Sequence, residues 1–192
     1  MPSLILASSS PYRRALLERL CLPFEYAAPA IDETPRTGET PEQLTQRLAL
    51  AKARALAERF PAHLIIGSDQ VLLLDGQAVS KPGNHAAATE QLKRCSGRTL
   101  RFSTGLCLLN SATGDVQLAC APFDVSFREL DSDSIERYLR REQPYDCAGS
   151  FKMEGLGITL FRALNGDDPN SLIGLPLIRL CQMLRKEGVQ LP

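Results

Sequence analysis

Ser3-Leu4-Ile5-Leu6-Ala7-Ser8-Ser9-Ser10-Pro11-Tyr12-Arg13-Arg14 is the stretch on which the reading of this chain turns. Residues 3–7 form an almost unbroken apolar run, which suits a buried strand. Three serines and a proline follow. A serine hydroxyl caps free N–H groups at a helix start, and proline fits the first helical position. A helix is therefore predicted over 11–21, with Leu16, Leu17 and Leu20 inward. A buried strand that feeds a helix through a short loop is the opening of an α/β fold.

The same alternation continues outward from this start. A strand is predicted over 24–28. Thr40-Pro41-Glu42-Gln43 carries a capping-box pattern and starts a helix running to about Phe60, with Leu44, Leu48, Ala51 and Ala55 as its apolar stripe. Lys52 lies at the edge of that stripe. Residues 63–68 read as a central strand that delivers Asp69 and Gln70 at its carboxyl end, and 71–74 with 77–79 as a hairpin around Asp75-Gly76. A helix is predicted over 84–95, a long hairpin from 99–110 and 116–127, a helix over 131–142 and a strand over 157–163. The last helix begins near Gly174-Leu175-Pro176 and ends at Gly188. No repeat, low-complexity segment or long linker interrupts the pattern, so one α/β domain over 1–192 is expected.

Composition removes several function classes. The 22 basic side chains balance 22 acidic ones, which argues against a binder of nucleic-acid polymers or membrane surfaces, since both favour a large basic excess. It leaves room for a small polyanion, which needs only a few cations in one place. No apolar run approaches the roughly 20 residues that span a bilayer. The short apolar start at Met1 to Ala7 has no basic segment before it, so no signal peptide is expected. Cys21, Cys95, Cys107, Cys120, Cys147 and Cys181 form no C-x-x-C pair and read as small buried hydrophobes in a reducing compartment. His63 and His85 are too few for a histidine-rich metal site. A metal here must be held by carboxylates, which points to a hard ion such as Mg²⁺ or Mn²⁺.

Five features bear chemistry. The serine loop places Arg13 and Arg14 in the first turn of a helix, where a phosphate could offset cations of the wrong sign for the helix dipole. An ordinary capped helix with solvated arginines explains the same residues. Asp69 ends a predicted buried strand, where open α/β sheets place ligands, or it satisfies a turn. Glu33 lies among loop acids, Lys81 in a loop before Pro82, and Lys52 reads equally as a snorkelling helix lysine. Together Arg13, Lys52, Lys81, Glu33 and Asp69 supply what splitting a phosphoanhydride requires: cations for anionic oxygens, ligands for a metal, and a carboxylate to orient or deprotonate water.

The chain resembles the Maf family of nucleotide pyrophosphatases, and its YceF-type branch, over nearly its whole length. Leu6-Ala7-Ser8-Ser9-Ser10-Pro11 with Arg13 is similar to the family's opening. Glu33, Lys52-Ala53, Gly67-Ser68-Asp69, Lys81-Pro82, Ser96-Gly97 and Thr104-Gly105 fall in the family's order. So do Ala148-Gly149-Ser150-Phe151, Glu154-Gly155 and Ile173-Gly174-Leu175-Pro176. The resemblance implies an elongated mixed α/β sheet with flanking helices, in two lobes around a central cleft. It implies hydrolysis of a nucleoside triphosphate between the α and β phosphates, dependent on a divalent metal cation. By the same resemblance Asp69 is the catalytic base and, with Glu33, a metal ligand. Ser8, Ser10, Arg13, Lys52 and Lys81 are implied to bind phosphate.

Departures from the commoner family pattern carry the specificity argument. Tyr12 stands where that pattern has Arg, Gln70 where it often has Thr, and Glu154 where it often has Gln. These three resemble the branch that prefers 7-methyl-GTP. Physical chemistry agrees for two of them. N7-methylguanine is cationic, and an aromatic face attracts a cation by about 0.5–1 kcal/mol when exposed and about 2 or more when desolvated. A carboxylate can accept from guanine N1–H and N2–H together, each bond worth roughly 1.5–3 kcal/mol. The plain alternative is that Tyr12 packs in the helix and Glu154 is a solvated loop acid. The expected partner is a small nucleotide in the cytoplasm, with no nucleic-acid polymer and no membrane; a homodimer is left open. The expected role is clearing modified nucleotides. Other triphosphates, or nucleotide-dependent regulation of cell division, are the competing readings.

Overall fold

A computed structural model describes residues 3–192, so Met1 and Pro2 of the apolar start lie outside it. Its elements are β1 (Ser3–Ala7), α1 (Pro11–Glu18), β2 (Phe24–Ala27), α2 (Pro41–Arg54), β3 (His63–Leu74), β4 (Gln77–Ala78), α3 (His85–Cys95), β5 (Thr99–Asn110), β6 (Val116–Phe127), α4 (Ser132–Glu142), a 3-10 turn (Leu156–Leu160), β7 (Phe161–Asn165), α5 (Asn170–Ile173) and α6 (Leu177–Lys186). Among the described residues the strands run in the order β2-β1-β3-β5-β6-β7, with β4 paired to β3. The mixed α/β class is as expected. The chain folds into two compact units. The first comprises 1–70, 103–121 and 168–192; the second comprises 71–102 and 122–167.

In the first unit β1 runs parallel to both β2 and β3, with Leu4 opposite Phe24 on one side and Leu64 on the other. Alternate side chains separate into two cores. Leu4, Leu6, Leu64, Ile66, Leu106 and Leu108 pack with Leu16 and Leu17 of α1 and with Leu177, Leu180 and Leu184 of α6. Ile5, Ala7, Ile65, Cys107 and Leu109 pack with Ala49 and Ala53 of α2 and with Leu56 just beyond it. Both faces of the sheet are covered, which explains the continuous apolar run in β1.

Helix α2 follows the sequence pattern at its start but not along its buried face. At the start, the Thr40 hydroxyl accepts from the Gln43 N–H at 3.2 Å, and Gln43 Oε1 accepts from the Thr40 N–H at 3.0 Å. The buried stripe is turned from the predicted one, with Ala49 and Ala53 inward in place of Ala51 and Ala55. The cause is a close approach to the sheet. A Cβ on Gly67 would run into the Ala49 carbonyl, and one on Gly105 into the Thr45 carbonyl. This rotation also takes Lys52 from the stripe's edge to 6% exposure.

In the second unit Phe102, Phe127, Phe151 and Phe161 form an edge-to-face cluster with centroids 4.9–5.8 Å apart. Asp75 accepts from both Arg94 and Arg98 at the β3–β4 turn.

Beyond the stripe of α2, which also ends at Arg54 rather than near Phe60, three expectations need correction. Strand β3 does not stop at 68 but continues to Leu74, so Asp69 and Gln70 lie within it; the strand carries through a polar pair that looks like a strand end. The 157–163 segment begins as the 3-10 turn, because Leu156 N–H bonds Glu142 Oε2 at 2.6 Å and Gly157 N–H bonds the Lys152 carbonyl at 3.0 Å. Pairing starts only at Phe161, opposite Phe127. Of the six cysteines, all free, Cys95 and Cys107 are buried but Cys21 is exposed and the others are half-buried. Burial pushes the Cys95 and Cys107 thiols up to about 12, which makes them inert packing groups.

Candidate active site

The first unit gathers several of the charged residues singled out above around one ammonium. Lys52 Nζ donates to Asp69 Oδ1 at 2.6 Å and pairs with Glu33 Oε1 at 2.9 Å. The Lys52 and Asp69 side chains are 8% and 12% exposed, whereas Glu33 is 58% exposed. Three elements build the cluster. Helix α2 carries Lys52 and is held against β3 at Gly67, two residues before Asp69. Glu33 comes from the loop after β2.

That loop is anchored by residues without a motif of their own. Arg47 of α2 donates to Glu39 at 2.6 and 2.7 Å and to the Thr34 carbonyl at 3.1 Å. Asp32 accepts from the Thr34 N–H at 2.9 Å and from its hydroxyl at 2.6 Å. Bonding to Arg47 draws the Glu39 carboxyl down to about 2. No helical spacing singles out Arg47, since five residues before Lys52 is not a same-face interval on a helix.

Arg13 completes the group. Burial depresses its guanidinium, and the nearby charges of Asp69 and Glu33 oppose that shift. Its Nε donates to the Gly174 carbonyl at 2.8 Å. The same carbonyl accepts from the Ser68 hydroxyl at 2.9 Å. Gly174 sits at φ +113, and a Cβ there would lie 3.1 Å from Arg13 Nε. The closing Ile173-Gly174-Leu175-Pro176 motif is therefore a seat for Arg13. In the serine loop, Ser10 caps α1 through the Arg13 N–H at 3.3 Å, and Ser8 Oγ accepts from the Ser10 N–H at 3.1 Å. Arg14 is engaged apart from this cluster, stacked 4.7 Å over the Tyr26 ring. Tyr12 lies half-buried in the first turn of α1.

Gln70 plays a definite structural role. Its Nε2 donates to the Ser171 carbonyl at 2.6 Å, the Leu172 carbonyl at 3.2 Å and Thr104 Oγ1 at 3.1 Å. Its amide thus ties β3 to α5, the short helix that ends at Gly174. Lys81 and Glu154 belong to the second unit. Lys81 is exposed in the loop between β4 and α3, and Glu154 is exposed in the bend before the 3-10 turn.

The donor set suits a hard divalent ion. Asp69 and Glu33 each offer carboxylate oxygens, and both converge on one cation, the Lys52 ammonium. Among the described residues no three His, Cys, Asp or Glu side chains cluster as a closed metal cage. Mg²⁺ commonly needs only one or two carboxylates, with waters and substrate phosphates filling the rest. The four charges of Arg13, Lys52, Glu33 and Asp69 cancel, so none of the four residues stands as an uncompensated charge in the group.

A family model described as "Maf-like protein" matches residues 3–187. The chain is 64% identical, over the full length of both, to a 7-methyl-GTP pyrophosphatase of Pseudomonas syringae pv. tomato. It is 62% identical to the protein of that name from Pseudomonas savastanoi pv. phaseolicola and 59% identical to that from Pseudomonas aeruginosa, again over full length. Among solved structures, the Ham1 protein of Staphylococcus aureus is similar at a TM-score of 0.46 and 17% identity, over 65% of this chain and 71% of that one.

Proposed function

Because this chain belongs to the Maf-like protein family, we propose that it is a nucleoside triphosphate pyrophosphatase whose substrate is 7-methyl-GTP. Its full-length relatives at 59–64% identity bear that activity as their name. The reaction adds water across the α–β phosphoanhydride and releases 7-methyl-GMP and pyrophosphate. It acts in the cytoplasm and removes modified nucleotides from the pool.

The observation that carries the reading is the Lys52 ammonium held between Asp69 and Glu33. Asp69 is the base: its carboxylate takes the proton of the attacking water. Lys52 holds that carboxylate in place through the 2.6 Å contact. Arg13, fixed by the Gly174 carbonyl, presents its terminal nitrogens to phosphate oxygens. Ser8 and Ser10, already accepting from backbone N–H groups, have hydroxyl protons to donate to the same oxygens. Lys81 is a further phosphate ligand. Asp69 and Glu33 are the residues that would hold Mg²⁺ or Mn²⁺, which when bound supplies Lewis-acid charge to the phosphoryl oxygens. Tyr12 and Glu154 recognise the cationic base. Gln70 is the third specificity position, and its Nε2 ties β3 to α5.

Product analysis with 7-methyl-GTP and GTP side by side, with Mg²⁺, tests the proposal. The expected outcome is pyrophosphate in one step, faster from the methylated nucleotide. Asp69→Asn is expected to lower kcat by about 10²–10⁴, the usual contribution of a general base, with the fold intact. Stepwise phosphate release, or an active and folded Asp69→Asn protein, overturns the assignment.

A further inference from the structure

Building on the reading of Lys81 as a phosphate ligand, we propose that Ser150 and Gln91 are positioning residues that set the backbone from which Lys81 reaches. All the residues concerned lie in the second unit. The loop carrying Lys81 joins β4 to α3, and it is held on both sides of the lysine. Before it, the Ser80 carbonyl accepts from Gln91 Nε2 at 2.9 Å. After it, the Gly83 N–H donates to the Tyr145 carbonyl at 2.9 Å. Between these points Pro82 has no N–H and a nearly fixed φ. The Lys81 backbone is thus suspended between two hydrogen bonds.

Gln91 is itself oriented. Its Oε1 accepts from the Ser150 hydroxyl at 2.6 Å. One end of the amide therefore accepts while the other donates, which determines both its rotamer and its O/N assignment. Ser150 is fully buried and sits at φ +60, directly after Gly149 at φ +81. A left-handed conformation is strained for a residue with a Cβ, and glycine would relax it. A serine in that conformation supplies a hydroxyl that glycine lacks, and the hydroxyl is used on Gln91. Each residue of the Gly149-Ser150-Phe151 motif thereby has its own part. Gly149 makes the turn, Ser150 sends a bond through Gln91 to the carbonyl next to Lys81, and Phe151 packs in the aromatic core.

The test compares Lys81→Ala, Gln91→Met and Ser150→Gly, and the last two combined with Lys81→Ala. The readout is pyrophosphate release from 7-methyl-GTP with Mg²⁺, with thermal melting as a fold control. Lys81→Ala is expected to lower kcat/KM by about ten- to a hundredfold, the scale of a charged hydrogen bond. Gln91→Met and Ser150→Gly are each expected to cost roughly three- to tenfold, divided between kcat and KM as for Lys81→Ala. Neither is expected to cost anything further in the Lys81→Ala background. Ser150→Gly is expected to melt no lower than the parent, because relief of left-handed strain opposes the lost bond. Losses that persist undiminished without Lys81, or full activity in both single variants, overturn the positioning role while leaving Lys81 as a ligand. A silent Lys81→Ala removes the phosphate reading itself, and the positioning role with it.

Discussion

At the scale of single residues, Lys52 has two carboxylate partners of unequal burial, and substitution separates them. Asp69 is nearly buried and Glu33 mostly exposed. Exposed pairs contribute about 0–1 kcal/mol, whereas removing one partner of a buried pair costs about 3–5 kcal/mol. Glu33→Gln is therefore expected to lower activity with less than about 1 kcal/mol lost in a denaturant melt. Lys52→Met leaves the Asp69 carboxylate without its ammonium and is expected to cost several times more. Equal losses in the two variants would count against this picture of the site. Specificity is also a residue-scale matter. Tyr12→Arg combined with Glu154→Gln is expected to reduce the kcat/KM preference for 7-methyl-GTP over GTP by about tenfold or more, the worth of one lost charge-assisted bond. An unchanged ratio across a triphosphate panel would remove both residues from base recognition. Gln70 shows what local pattern leaves out. Its place in an aligned motif suggests a specificity role, and nothing local shows that its amide nitrogen is also bound to carbonyls 101 and 102 residues away.

At the scale of elements, the position of Lys52 depends on how closely α2 lies on β3. The contact is glycine against helix backbone at Gly67, and the neighbouring β5 repeats it at Gly105. Gly67→Ala is expected to destabilise by at least the roughly 1–3 kcal/mol of core overpacking, since the obstacle is a carbonyl rather than a flexible side chain. It is also expected to lower kcat, because the helix that moves is the one carrying Lys52. Urea melts and steady-state kinetics on the same protein check both; a variant as stable and active as the parent would show that the helix has room. Strand bounds illustrate what local pattern can reach. The long hairpin of β5 and β6 matches its prediction because strand-forming runs flank a set of turn formers from Asn110 to Asp115. The 3-10 turn at Leu156–Leu160 reads as strand from sequence because its apolar residues look the same in either conformation. Bonds from Leu156 to Glu142 and from Gly157 to Lys152 decide the matter.

At the scale of the whole molecule, each unit carries a carboxylate drawn down by arginine: Glu39 from 4.5 to about 2 in the first, and Asp75 from 3.8 to about 2 in the second. A depressed folded-state pKa stabilises the protein above the unfolded value and is lost as pH falls through the folded value. Stability from these two anchors is therefore expected to be complete above about pH 5 and to decline toward pH 2. Replacing Arg47 with Met should remove the Glu39 share and flatten that part of the acid limb. Melting temperature against pH for both proteins measures this, and identical acid limbs would refute the role of Arg47. The total charge of zero bears on none of these effects, which arise from a few groups placed together.

By itself the sequence determined the α/β class, most element positions, the cap of each early helix and the family, because these rest on local periodicity and on an ordered series of short motifs. It also supplied the residue types that phosphate chemistry needs. Tertiary structure alone decided that Lys52 turns inward between Asp69 and Glu33, that Arg13 is seated on the Gly174 carbonyl, and that Gln70 serves α5. It likewise decided that the strained Ser150 reaches the Lys81 loop through Gln91. These contacts join residues from 11 to 161 positions apart. Their energies depend on distance in space and on burial, and neither quantity is carried by the order of residues along the chain.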